Sequence, residues 1–104
     1  MNKKFDNIGR YKKIFVYKTE RGDDLDSVAE KFGTTKRIIV ADNFLSEEPC
    51  PGEMLIIEKP DGKAYIVKPF DTIESLSGGD KKRETEILKN NKTDFVYVGQ
   101  KIYI

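Results

Sequence analysis

Apolar positions in this chain follow two spacings, one of strands and one of helices, and both occur twice. From Phe15 to Thr19 the residues are β-branched, aromatic or long, the make-up of a short strand. Gly22 and Asp23 then form a turn, and Leu25, Val28, Ala29 and Phe32 recur at helical spacing until Gly33 stops the helix. Asp24 stands at the N-cap, where a carboxylate accepts backbone N–H groups and opposes the positive end of the helix dipole. Thr34 or Thr35 is placed to cap a second helix with Ile38, Ile39 and Val40 on its apolar side, closed by Asn43. Met54 to Ile57 reads as a returning strand. The predicted unit is strand, helix, helix, strand, with the strands antiparallel and both helices packed on one face.

A shift of 48 residues lays this unit on the rest of the chain. Tyr17 falls on Tyr65, Asp23 on Asp71, Ser27 on Ser75, Ile39 on Ile87 and Asn43 on Asn91. After a one-residue deletion, "PGEMLII" from Pro51 lies on "VGQKIYI" from Val98. The expected fold class is α+β, two tandem strand-helix-helix-strand units, each with a two-stranded antiparallel sheet. The expected divisions are an N-terminal arm at 1–13, a first repeat at 14–58, a hairpin-like linker at 59–63 and a second repeat at 64–104. Pro60, Asp61 and Gly62 sit between strand-like runs and predict a hairpin, whose strands would join the repeats into one ribbon and one body.

The second copy is degenerate. Phe70 replaces Gly22 where the turn calls for positive φ, a change costing about 1 kcal/mol. Gly78 and Gly79 should end its first helix early, and the loop after Asn91 is one residue shorter.

Composition removes whole classes of chemistry. The 104 residues are 38% hydrophobic and 36% charged, with a formal net charge of +1, which fits a small globular fold and gives no electrostatic case for a nucleic acid or an acidic membrane. Lys3, Lys4, Arg10, Lys12 and Lys13 read as a solubilising arm. There is no histidine, so the imidazole base, the Cys-His pair and most zinc sets are absent. Cys50 is the lone cysteine; it forms no intrachain disulfide, has no histidine to activate it and fits a reducing compartment. The apolar run Ile14 to Tyr17 is too short for a signal-peptide core or a membrane span, so synthesis in the cytoplasm is expected.

Asp23, Asp24 and Asp26 raise the possibility of a metal or acid-base cluster. Their spacing fails the calcium-loop pattern, and Asp26 turns away from Asp24 on a helix, which favours turn and cap roles. No catalytic residue, metal ligand or cofactor is therefore expected.

Tyr17, "RGDDL" from Arg21, "VAEKFGTT" from Val28, Asn43 to Leu45 and "PGEMLII" from Pro51 resemble the LysM module. That family's pattern is a strand, a Gly-Asp-Thr-Leu turn, two helices, an Asn-x-Leu loop and a Pro-Gly-Gln strand. The resemblance covers about residues 15 to 57 and, more loosely, 64 to 104, so both units are expected to be LysM-like. It implies a non-catalytic binder of N-acetylglucosamine-containing glycans, peptidoglycan or chitin in type, that grips them in the groove between two loops. Carried over by position, the implied glycan-binding residues are Gly22, Asp23, Asp24, Leu25, Asn43, Phe44, Leu45 and Ser46. The second-copy candidates are Phe70, Asp71, Thr72, Ile73, Asn91, Lys92, Thr93 and Asp94. An acetamido group supplies one donor, one acceptor and one methyl, and Leu25 and Leu45 suit the methyl. For Leu25 and Asn43 the core and helix-end roles are favoured over a binding one, and Phe44 is either core-filling or a stacking surface. The competing reading is a LysM scaffold used for protein assembly, of the spore-coat or phage-tail kind, with protein partners in place of glycan. The location that the resemblance implies after synthesis is the spore or the cell wall.

Overall fold

The computed structural model describes residues 14–104; the basic arm expected at 1–13 lies outside the described residues. The chain divides between Lys59 and Pro60 into two compact units. It is α+β, with helices and two separate two-stranded antiparallel sheets.

In the first unit, β1 (Ile14–Lys18) leads to α1 (Leu25–Phe32), α2 (Lys36–Asn43) and β2 (Met54–Glu58). β1 pairs with β2 from Ile14 opposite Glu58 to Lys18 opposite Met54. The period of two puts Tyr17 and Leu55 on the face toward the helices and leaves Val16 and Ile56 on the outer face. Leu25, Val28, Ala29, Ile39, Leu55 and Ile57 form the buried core, with Tyr17, Phe32, Val40 and Leu45 packed against it. The Phe32 ring meets Phe15 and Tyr17 edge-on, at centroid distances of 5.0 and 4.9 Å.

Caps set both helix boundaries. Asp24 accepts from Ser27 N at 2.7 Å while Ser27 Oγ accepts from Asp24 N at 3.1 Å, a reciprocal capping box. Gly33 ends α1 in the left-handed conformation. Thr35, rather than Thr34, caps α2; Thr34 is buried.

The second unit repeats the order: β3 (Ala64–Ile66), α3 (Ile73–Ser77), α4 (Lys81–Asn90) and β4 (Lys101–Tyr103). β3 pairs with β4 from Ala64 opposite Tyr103 to Ile66 opposite Lys101. Gly78, at φ +69°, ends α3 early, as expected. The core cluster is Val67, Ile87 and Ile102, half the number of buried side chains in the first unit's cluster.

The hairpin expected across Pro60 to Gly62 is not formed. β2 and β3 belong to different sheets, and each pairs with a strand of its own unit. The turn is held from α4 instead, where Asn90 Nδ2 donates to Asp61 O at 2.9 Å and Asn90 Oδ1 accepts from Asp61 N at 3.3 Å.

Candidate functional site

The β1–β2 register brings the β1–α1 loop and the α2–β2 loop to one end of the first sheet. Asp23 shapes the first of these loops. Its carboxylate accepts from the Tyr17 hydroxyl at 2.5 Å and from Glu20 N at 2.8 Å, latching the turn to the strand. The Tyr17 hydrogen bond holds the Asp23 carboxyl below its usual value, with the Glu20 amide adding to the effect. Bonding to Asp23 raises the Tyr17 phenol from 10.0 to about 12. Asp23, with its folded pKa lowered, contributes stability that is complete above the free carboxylate range and is lost as pH falls through the lowered value. Tyr17 contributes stability that is complete below 10.0 and is lost as pH rises through about 12.

This latch predicts that Asp23→Asn returns the Tyr17 phenol toward its ordinary ionisation range. Phenolate absorbance during an alkaline titration would show it; a titration unchanged by the substitution would contradict the latch.

The second wall is built from Asn43 onward. Asn43 Nδ2 donates to Ile39 O and to Ile56 O, at 2.9 and 2.8 Å, and its Oδ1 accepts from Ile56 N at 2.7 Å. The side-chain amide thus behaves as one residue of an extra strand against β2. Phe44 follows in the left-handed region at φ 53° and is 94% exposed, so it does not fill the core. Pro51 and Gly52 form the tight turn into β2, with Gly52 at φ +93° and Glu53 N donating to Cys50 O at 3.1 Å. Cys50 is exposed and free.

Glu48 crosses from the second wall to the start of α1. One carboxylate oxygen accepts from Leu25 N at 2.8 Å and the other lies 3.6 Å from Lys36 Nζ. Beneath it is a hollow of about 280 Å³ lined by Leu25, Lys36, Val40, Leu45, Ser46, Glu47 and Glu48. Of the first-copy candidates, this hollow brings together Leu25, Leu45 and Ser46. Gly22, Asp23, Asp24, Asn43 and Phe44 do not line it. Asp23, Asp24 and Asn43 are engaged in the latch, the cap and the clip. Glu48 lies in the stretch where the second copy is one residue shorter and carries no matching acid, so the repeat gave no signal for it.

The second unit keeps the frame and changes the surface. Asp71 accepts from the Tyr65 hydroxyl and from Lys68 N, with the same lowering of the carboxyl and raising of the phenol. Thr72 caps α3 with Ser75. Asn91 repeats the clip, donating to Ile87 O and Tyr103 O and accepting from Tyr103 N. Ile73 packs against the core, and Phe70 is exposed at φ 73°. A hollow of about 470 Å³ gathers Lys92, Thr93 and Asp94 with Thr85, Leu88 and Lys89, but it does not include the stretch from Phe70 to Ile73.

Among the described residues, no group of three or more acidic, cysteine or histidine side chains is placed to hold a metal, and no helix is long and apolar enough to cross a membrane.

Residues 17–57 match the LysM domain family. No curated protein matches the chain. Among solved structures, the Bacillus cereus spore cortex-lytic enzyme SleL is similar, with 30% identity over 88% of this chain and a TM-score of 0.42. The chain spans 22% of that protein's length.

Proposed function

We propose that this chain, which carries a LysM domain at residues 17–57, is a non-catalytic module that binds N-acetylglucosamine-containing glycans of the peptidoglycan or chitin type. LysM domains generally bind such glycans. The observation that carries the reading is the hollow of the first unit, which sets the α2–β2 loop against the first residue of α1 over an apolar floor of Leu25, Val40 and Leu45. The acetamido methyl fits that floor, and the Glu48 carboxylate is an acceptor for the amide N–H or a sugar hydroxyl. Phe44, held in solvent beside Leu45, offers a face on which a pyranose ring stacks. Asp23, Asp24 and Asn43 act as positioning residues that fix the two walls. Such a module is suited to a cell wall or spore surface.

Each site is weak alone, because a sugar exchanges bonds with water for bonds with protein and only the surplus is affinity. Titration with chito-oligosaccharide, read amide by amide, should shift Leu25 and Leu45 to Glu48. Phe44→Ala should weaken that binding by about five-fold without loss of fold. A chain that gives no shifts and stays in the supernatant over insoluble peptidoglycan and chitin would instead be an assembly module.

A further inference from the structure

In the second unit the same loops carry aromatic rings. Phe70 is 98% exposed and holds φ 73° at the position where the first unit has Gly22 at φ +92°. The conformation is unfavourable for a bulky L-residue, and the ring gains no burial in return. Gly22 shows that the turn itself needs no side chain there. On the α4–β4 loop, Phe95 and Tyr97 are 57% and 47% exposed, with ring centroids 5.9 Å apart and planes tilted by 45°. The pairing of Ile66 with Lys101 brings both loops to one end of the β3–β4 sheet.

We propose that Phe70, Phe95 and Tyr97 form a second carbohydrate site, which takes the apolar C–H face of a pyranose ring by stacking and does not require an N-acetyl group. The exposed Lys68, Thr72, Lys92 and Asp94 on the same loops suit the hydroxyl edge of a sugar whose face lies on the rings. The inference rests on the glycan-binding reading of the chain but not on the first unit's hollow. Its ligand class is a β-linked hexopyranose chain, acetylated or not.

The test is a pair of titrations of the full chain, with cello-oligosaccharide and with chito-oligosaccharide, followed at the amides of both units and at the rings of Phe70, Phe95 and Tyr97. Cello-oligosaccharide should shift those rings and leave Leu25 and Leu45 unmoved. Phe70→Gly should leave the melting temperature equal or higher, since it restores the residue of the first unit, and should weaken cello-oligosaccharide binding by about five-fold. Unchanged binding by that variant would overturn the proposal. Second-unit shifts with the acetylated sugar alone would also overturn it, since recognition would then need the acetamido group. First-unit shifts with no second-unit shifts from either sugar would remove this site and leave the first-unit reading standing. No shift from either sugar would remove both.

Discussion

Replacing Asn91 with alanine should cost the second unit several kcal/mol and erase its well-dispersed amide signals. Asn91 is 2% exposed, and its amide satisfies Ile87 O at 2.8 Å, Tyr103 O at 2.9 Å and Tyr103 N at 2.7 Å. Alanine leaves the Tyr103 N–H and C=O without that partner, and an unsatisfied buried group costs about 1–3 kcal/mol. The cluster of Val67, Ile87 and Ile102 has little to set against such a loss. Asn43→Ala removes the equivalent clip, but its bonds to Ile56 lie in an exposed setting where water can substitute, so the expected cost is about 1 kcal/mol. Thermal melts of the two variants beside the parent would check the difference. Equal shifts would mean that burial does not set the strength of the clip.

Gly62→Ala should be nearly as damaging, by about 2–4 kcal/mol. Gly62 holds φ +92°, and a Cβ there would lie 2.4 Å from the carbonyl oxygen of Ile104 and 2.8 Å from its carbon. The neighbouring backbone cannot yield cheaply: Lys63 N donates to Ile104 O at 2.9 Å and Ile104 N to Lys63 O at 3.0 Å. Gly99, at φ +88°, has open space where its Cβ would stand, so alanine there meets only the conformational penalty of about 1 kcal/mol. If Gly62→Ala and Gly99→Ala melted alike, the close approach to Ile104 would not be what demands glycine.

The features legible in the sequence were those encoded within a few residues. The Asp24 cap, Gly33 and the early stop at Gly78 all act on their own turn of helix, so residue type and spacing were enough to place them, whereas they left Thr34 and Thr35 as alternatives that the fold resolves to Thr35. The repeat added identities at Tyr17, Asp23 and Asn43, and these residues form the latch and the clip in both units. Their bonding was harder to read, because Asn43 reaches a strand 13 positions away. Glu48 was missed for the same reason more strongly, since its partner Leu25 lies 23 positions back. The misread hairpin has a different cause. Pro60, Asp61 and Gly62 signal a turn correctly, but turn chemistry does not say whether the flanking strands pair with each other or with more distant strands. Phe44 could be assigned to core or solvent only once the left-handed backbone that carries it was known.

Chains gathered side by side on an insoluble surface reach local concentrations at which open strand edges recruit one another and seed aggregates. β2 and β4 are guarded against this at Ile56 and Tyr103, where the Asn43 and Asn91 amides already occupy the outward N–H and C=O. A neighbouring chain adding a strand there would first have to displace a side chain that is tethered beside its target. The same amide that fixes each loop therefore also blocks strand addition along β2 and β4.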